Sequence, residues 1–164
     1  MKRLRAILGS ALFLFAAPGV VAGLFPYWIT GWRFGAPAFP GAAFVAAALI
    51  ALGAIVLLDS FARFAWQGRG TPAPIAPTET LVVSGWYRHV RNPMYVAVTA
   101  LNIGQALLFA NTAQALYAAC IWLAFHLFVY FYEEPTLRGQ FRESYDAYRR
   151  AVPRWLPRLT PWRG

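Results

Sequence analysis

The residues best suited to chemistry lie in one stretch, residues 80–95, which reads TLVVSGWYRHVRNPMY. Asn92 is favoured at the N-cap of a helix, and Pro93 suits the first helical position. Three basic side chains precede this helix start: Arg88, His89 and Arg91. Free N–H groups at a helix N-terminus, with cations beside them, form an anion site. Because an apolar run follows at once, the stretch predicts a place where an anionic small molecule meets a lipid-soluble one. A basic interfacial loop that anchors a membrane helix is the alternative.

A second polar cluster, Glu133-Glu134-Pro135, follows the last long apolar run. Proline disfavours a helical conformation in the residue before it and suits the first turn of a new helix. We therefore expect the chain to change direction here. The apolar residues beyond it recur at helical spacing and predict a basic amphipathic helix that lies on the membrane surface or packs over the loop before the first polar cluster; they are Leu137, Phe141, Tyr145, Tyr148 and Val152.

Membrane helices must position these two clusters. The chain has 164 residues, of which 59% are hydrophobic and only 13% are charged, and its uncharged runs are too long for a soluble core. We expect a single all-α domain over residues 1–164, an integral membrane bundle of about four transmembrane helices with a cytosolic amphipathic C-terminal helix. The predicted spans are residues 6–30, 35–58, 94–110 and 112–132, the last two joined by a tight turn at Asn111.

The first span has an alternative interpretation as a secretory signal peptide, because Val21-Ala22-Gly23 resembles a cleavage site. Its apolar run is long for such a peptide, which favours an uncleaved helix. The proline- and glycine-rich residues 68–77 predict a loop that leads into the first polar cluster.

Polar residues within the spans have structural explanations. Asp59 lies at the end of the second span, where we expect it to cap the helix or pair with Arg63. Asn102 and Gln105 indicate that the third span is tilted, partly covered by protein, or not fully spanning. Gln114 and His126 on the fourth are expected to form interhelical hydrogen bonds.

Charge and cysteine content exclude several classes of function. A single cysteine, Cys120, allows no disulfide within the chain, and neither cysteine nor histidine occurs at a metal-ligand spacing. The net charge of +9 comes from arginines that flank apolar spans, which favours anionic membrane lipids over nucleic acid as partners. Of the 15 lysines and arginines, all but Arg33 fall on one side of the four spans. That side is therefore predicted to be cytoplasmic, together with both termini and both polar clusters.

The order of the motifs resembles the isoprenylcysteine carboxyl methyltransferase and phospholipid methyltransferase group of integral membrane enzymes. The similarity covers residues 68–157 and rests on the LVVSGWYRHVRNPMY segment, a hydrophobic hairpin, Glu133-Glu134-Pro135 and the ending Val152-Pro153-Arg154. It implies methyl transfer from S-adenosylmethionine, held on the cytosolic side. The positions that match the family's cofactor site are Thr80, Leu81, Val82, Tyr87, Asn92, Pro93, Met94, Tyr95 and Glu133.

The resemblance implies a role for each kind of group. Glu133 would bind the cofactor's ammonium, the amides that open the helix after Asn92 would bind its carboxylate, and tyrosine faces would attract its sulfonium. Methyl transfer is an in-line displacement that depends on positioning two bound reactants. No residue is therefore expected to act as a nucleophile.

Three positions depart from the carboxyl methyltransferase pattern. Asn92 and Glu79 stand where those enzymes have histidine, and apolar Val129 stands where they have an arginine associated with the prenylcysteine substrate. Because a carboxylate acceptor would lack that partner, we expect a lipid-like or small hydrophobic acceptor. The alternatives are prenylcysteine carboxyl methylation, a non-enzymatic membrane scaffold with a basic lipid-binding tail, and a membrane reductase of the sterol-reductase type, for which no nicotinamide site is visible.

Overall fold

The computed structural model describes residue 9, residues 11–67 and residues 81–163, without the side chains of residues 64–67. Within these residues the chain is helical and has no strand. The elements in order are α1 (Ala11–Thr30), α2 (Ala42–Gln67), a 3₁₀ turn (Gly85–Arg88), α3 (Pro93–Leu108), α4 (Thr112–Phe128), a π-helical turn (Val129–Glu133) and α5 (Glu134–Ala151).

Three of the described helices are long and apolar enough to cross a membrane. They are α1, the Ala42–Arg63 part of α2, and the helical run Thr112–Ala151, which has a kink at Arg142; α3 is a shorter apolar helix. The predicted all-α, multi-pass membrane fold is confirmed.

Helices α2 and α3 pack so closely that their contact requires glycine. A Cβ atom on Gly104 would lie 2.7 Å from Ile50 Cγ1 and 3.0 Å from the Ala46 carbonyl oxygen. A Cβ atom on Gly53 would lie 2.9 Å from the Ala97 carbonyl oxygen. Small residues let membrane helices approach closely and gain van der Waals contact, which replaces the missing hydrophobic driving force. The pair thus gives the start of α3 a firm support.

Hydrogen bonds to side chains tie α1 to the rest of the bundle. Pro26 has no N–H, so it cannot bond the carbonyl of Val21 in π-helical register or that of Ala22 in α-helical register. The Tyr117 hydroxyl donates to the first carbonyl at 2.9 Å, and the Gln105 amide donates to the second at 2.8 Å. An unpaired carbonyl in lipid would cost several kcal/mol. Polar residues on the hairpin therefore complete the backbone of α1.

Helices α3 and α4 form the predicted hairpin. Asn111 caps α4, because its side chain accepts a hydrogen bond from the backbone N–H of Gln114 at 2.9 Å. The Gln114 amide donates to Asn102 at 3.0 Å, and both side chains are fully buried, so the interhelical bond predicted for Gln114 is confirmed. His126 differs from its prediction, since its Nδ1 accepts a hydrogen bond at 3.1 Å from Trp155 Nε1 of the C-terminal tail, residues 152–163.

Helix α2 begins and ends later than the predicted span 35–58. It begins at Ala42, after two prolines, and continues past Asp59 to Gln67. Asp59 accepts from Arg63 Nε, one turn further on, at 2.7 Å. The predicted pairing is confirmed. Because the pair balances its own charge, the helix continues through it.

The predicted change of direction at Glu133–Pro135 is wrong. The backbone stays helical from Thr112 through Pro135 as far as Phe141. Pro135 removes one N–H from the ladder, and the π-helical turn immediately before it accommodates the loss without ending the helix. The helical backbone is interrupted instead at Arg142, with φ 45° and ψ −118°.

The predicted amphipathic character of α5 is confirmed. Tyr145, Tyr148 and Val152 form a buried cluster, and Leu81 from the segment before the 3₁₀ turn packs against it. Further partly buried members of this contact are Val83, Leu137, Phe141, Ala151 and Trp162. Helix α5 therefore covers the segment that leads into the first polar cluster.

Replacing Gly104 by alanine tests the close packing of α2 and α3. The added Cβ falls 2.7 Å from Ile50 Cγ1, so we expect Gly104→Ala to lower the free energy of unfolding by about 1–3 kcal/mol through overpacking. Gly139→Ala is the control, since a Cβ there meets nothing within 4 Å and should stabilise α5 by about 0.5–1 kcal/mol. Thermal denaturation in detergent measures both. Equal effects of the two substitutions would contradict the packing assigned to Gly104.

Candidate functional site

Three polar side chains converge where the 3₁₀ turn, the first turn of α3 and the π-helical turn meet. The Tyr95 hydroxyl donates to Glu133 Oε2 at 2.8 Å, and the Tyr95 ring lies 4.7 Å from that of Phe125. Tyr87 is 8% exposed. Burial raises the pKa of the Tyr87 phenol well above its usual value, and the negative charge of Glu133 raises it further. Tyr87 therefore stays protonated and neutral beside the carboxylate.

The neighbouring acid, Glu134, is held by two arginines. Arg154 Nε donates to Glu134 Oε1 at 2.7 Å, and its Nη2 donates to Oε2 at 2.8 Å. Arg91 Nη1 lies 2.9 Å from Glu134 Oε1, close enough for an ion pair but not aligned for a hydrogen bond. The two hydrogen bonds from Arg154 to Glu134 raise the pKa of the Arg154 guanidinium. The side chains of Arg91 and Glu134 are 10% and 8% exposed, so the cluster is largely desolvated.

The two adjacent acids consequently have different environments. Successive residues of a helix point about 100° apart, so Glu133 faces the tyrosines while Glu134 faces the arginines. Among the described residues, Glu133 forms no ion pair. Glu134 is committed to holding the structure together, whereas Glu133 retains a carboxylate without a cationic partner.

The C-terminal tail is bound along the first polar cluster. The backbone N–H of Arg91 donates to the Pro153 carbonyl, and that of Arg158 donates to the His89 carbonyl, each at 2.9 Å. The N–H of Trp162 donates to the carbonyl of residue 88, also at 2.9 Å. Through these bonds the tail runs alongside residues 88–91 and is held to their backbone at three points. The tail therefore fixes the backbone that leads into α3.

One buried phenol joins α5 to the 3₁₀ turn. The Tyr148 hydroxyl donates to the Tyr87 carbonyl oxygen at 2.7 Å, and both residues are buried. A buried carbonyl that lost this partner would carry a desolvation penalty. The bond thus sets the backbone position of Tyr87, whose side chain belongs to the candidate site.

The cations expected around an anion site are already engaged. The Arg88 Nε donates to the Trp162 carbonyl oxygen, His89 Nδ1 bonds the Arg158 carbonyl oxygen at 2.8 Å, and Arg91 pairs with Glu134. Their partners lie on the tail and on α5, which the sequence could not place beside them. The cations of the predicted anion site are thus directed to partners within the protein. The backbone amides at the start of α3 remain as its donors.

Helix α3 begins where predicted, with Asn92 at the N-cap and Pro93 first. The predicted capping by the Asn92 side chain is wrong, because no cap hydrogen bond forms and its Nδ2 donates to the Arg154 carbonyl oxygen at 3.2 Å. The tail competes successfully for this amide. The N–H groups of the first turn are therefore left without a side-chain cap from Asn92.

The remaining residues of the predicted cofactor site divide between packing and polar positions. Thr80, like Glu79, lies outside the described residues. Leu81 packs on the buried tyrosine cluster of α5, and Met94 packs against the α2–α3 core. Val82 and Pro93 are buried. The structure thus brings together Tyr87, Tyr95 and Glu133 and uses several of their sequence neighbours to hold them.

Sequence reasoning missed the role of Arg154. It noted this residue only in the Val152-Pro153-Arg154 ending. A signal was nevertheless present, because an acid next to a membrane span needs a compensating cation. The sequence offered many arginines, however, and gave no reason to prefer Arg154 to its neighbours on α5.

Comparison with known families agrees with this arrangement. Residues 42–144 match the family model described as phospholipid methyltransferase. The matched region contains α2, the 3₁₀ turn, the hairpin and most of α5, and so includes Tyr87, Tyr95 and both acids. A search of the curated proteins found no match.

Removing the charge of Glu134 tests its structural assignment. In Glu134→Gln the two arginines lose a buried counter-charge, and we expect the free energy of unfolding to fall by about 3 kcal/mol or more. Glu143→Gln is the matched control, because Glu143 is exposed on the same helix and its substitution should change stability by less than about 0.5 kcal/mol. Thermal denaturation of both proteins in detergent provides the comparison. A Glu134→Gln protein as stable as the control would show that the cluster does not hold the site together.

Proposed function

Because the chain belongs to the phospholipid methyltransferase family, a family of membrane methyltransferases, we propose that it transfers a methyl group from S-adenosylmethionine to a lipid-like or small hydrophobic acceptor at the membrane. The observation that carries this proposal is the contrast between the two adjacent acids. Glu134 is paired with Arg91 and Arg154, while Glu133 has no ion-pair partner among the described residues. The amino-acid part of S-adenosylmethionine has an ammonium group, which would supply a cationic partner for Glu133.

The residues around Glu133 fit such a cofactor. The Tyr95 hydroxyl fixes one carboxylate oxygen at 2.8 Å, which orients the group towards an incoming ammonium. The first-turn amides of α3, uncapped by Asn92, provide donors for a carboxylate. The ring of Tyr95, whose hydroxyl bonds Glu133, and the buried ring of Tyr87 suit a sulfonium through cation–π attraction. We assign these groups to binding.

The cofactor, when bound, supplies an electrophilic methyl group on positively charged sulfur. A nucleophilic atom of the acceptor forms the new bond to carbon as the carbon–sulfur bond breaks, and sulfur leaves with that electron pair as neutral S-adenosylhomocysteine. The protein's task is to hold the two reactants in line and to limit access of water. Neither Tyr87 nor Tyr95 is required as a nucleophile.

The surroundings of the π-helical turn support an apolar acceptor. Val129, which stands in place of the arginine of the carboxyl methyltransferases, is fully buried. The exposed side chains around it are aromatic: Phe128, Tyr130, Phe131 and Tyr132. Arg154 lies 5.4 Å from the centre of the Tyr130 ring, but its charge is paired with Glu134. A prenylcysteine carboxylate would therefore have to compete with Glu134 for its cation.

The charge distribution supports a cytoplasmic position for this site. Arg33 is the one basic residue on the opposite side of the predicted spans, so positive charge is concentrated at the end of the bundle where Glu133 lies. S-adenosylmethionine made in the cytosol would then reach the site directly. The acceptor would approach from the bilayer, past the exposed aromatic side chains of the π-helical turn.

Cofactor binding provides the first test. Glu133→Gln removes a charge-assisted hydrogen bond to the cofactor's ammonium, worth about 1.5–3 kcal/mol, and should weaken binding of S-adenosylhomocysteine by roughly 10- to 150-fold. Isothermal titration calorimetry of purified protein in detergent measures this affinity. Glu143→Gln, on the exposed side of α5, should bind like wild type. Unchanged affinity in Glu133→Gln would remove the basis for the proposed cofactor site.

The acceptor is tested by offering two substrates in parallel. Purified protein is incubated with methyl-labelled S-adenosylmethionine and either a membrane lipid extract or a farnesylcysteine analogue, with Glu133→Gln protein as the inactive control. We expect label in the lipid fraction, because no unpaired cation near the π-helical turn serves a carboxylate among the described residues. Base-labile labelling of the farnesylcysteine analogue alone would support prenylcysteine methylation, and no labelling of either would favour the scaffold alternative.

A further inference from the structure

A cavity separate from the tyrosine–Glu133 contact lies under the 3₁₀ turn. It has a volume of about 330 Å³, and three of the side chains that line it are arginines: Arg63 from α2, Arg88 from the 3₁₀ turn and Arg163 from the tail. Val83, Ser84, Gly85 and Trp162 complete its walls. The cavity thus joins three parts of the chain that are distant in sequence.

Within residues 11–67 and 81–163, the positive charges that line the cavity outnumber their negative partners. Asp59 accepts from Arg63 at 2.7 Å, and it is the one carboxylate paired with these three arginines among the described residues. Arg88 uses its Nε on the Trp162 carbonyl oxygen, a neutral acceptor that leaves its charge intact. Arg163 forms no ion pair within the described part of the chain. Counted over the described residues alone, three guanidinium groups against one carboxylate give the cavity a formal charge of +2.

The backbone is shaped to keep Arg63 in place. Gly85 has φ +53°, and a Cβ atom there would overlap the Arg63 guanidinium, lying 2.0 Å from Nε. Only glycine allows both the left-handed backbone and this close approach. The guanidinium therefore packs directly against the turn, where its remaining donors are held at the cavity wall.

Arg63 also marks a specific depth. The apolar stretch of α2 that can cross a membrane ends at this residue, Ala42–Arg63. The cavity consequently lies at the level where a bilayer presents its headgroups. At this level an arginine guanidinium can donate two parallel N–H bonds to two oxygens of one phosphate group.

We propose that this cavity binds the phosphate of an anionic membrane lipid headgroup, held by Arg63, Arg88 and Arg163. The bound phosphate would bridge α2, the 3₁₀ turn and the tail. Lipid binding would therefore stabilise the contact between the tail and the 3₁₀ turn. The proposal does not depend on the identity of the methyl acceptor or on cofactor binding. It assigns the lipid an accessory role.

Binding of dioctanoyl phosphatidylglycerol to the purified protein in a neutral detergent tests the proposal. Wild-type protein should bind this lipid, while dioctanoylglycerol, which lacks the phosphate, should not compete. Arg163→Gln removes one phosphate donor and should raise the Kd about five- to tenfold. Arg150→Gln, an exposed arginine of α5 outside the cavity, should leave the Kd unchanged.

A substitution with the opposite sign separates the proposal from a loss of folding. Asp59→Asn frees Arg63 from its counter-charge and should tighten binding of phosphatidylglycerol about threefold or more, a gain that a damaged protein would not produce. Three outcomes would overturn the proposal. Equal weakening by Arg163→Gln and Arg150→Gln would indicate diffuse attraction, and equal affinity for inorganic phosphate would indicate a soluble anion as ligand. A parallel loss of S-adenosylhomocysteine affinity in Arg163→Gln would make the cavity part of the cofactor site.

Discussion

A single carboxylate held between two guanidinium groups is the interaction on which the rest of the structure around the site depends. Arg91 precedes α3, Glu134 begins α5, and Arg154 belongs to the tail, so their contact joins three elements at one point. Desolvation makes each of these charges costly alone, and only their mutual pairing makes burial tolerable. Loss of Glu134 would leave two guanidinium groups without a counter-charge beside the start of α3. The backbone bonds between the tail and residues 88–91 then align the same three elements along their length.

Continuity of the helix through the π-helical turn gives the two acids their different roles. If the helix had ended at Pro135, Glu133 and Glu134 would have been free to turn towards the same arginines. The helical backbone instead points them in different directions, and only Glu134 reaches the cluster. Glu133 is left with the Tyr95 hydroxyl at 2.8 Å and beside the buried phenol of Tyr87. A carboxylate with neutral neighbours is a suitable partner for a ligand's ammonium, whereas one already between two arginines is not.

Much of the fold could be predicted because its determinants are local. Uncharged runs indicate spans, Asn92-Pro93 indicates where α3 begins, and the spacing of Tyr145 and Tyr148 indicates the buried face of α5. Other features depend on distances that the sequence does not contain. Pro135 is compatible with a helix end or with a π-helical turn, and the outcome depends on what packs around it. The partners of the basic residues at 88–91 lie on the tail and on α5, which are separated from them in the sequence by the whole hairpin. Motif similarity could indicate Glu133 as a site residue, but it could not show that Glu134 is occupied by two arginines.

The central claim is that Glu133, and not Glu134, is the acid that binds the cofactor's ammonium. A structure of the protein with bound S-adenosylhomocysteine, determined by crystallography or electron microscopy in lipid or detergent, tests it most directly. We expect the ammonium within hydrogen-bond distance, about 2.7–3.2 Å, of the Glu133 carboxylate, with the Arg91–Glu134–Arg154 cluster unchanged. An ammonium bound to Glu134 with its arginines displaced, or a cofactor bound away from Tyr87 and Tyr95, would contradict it.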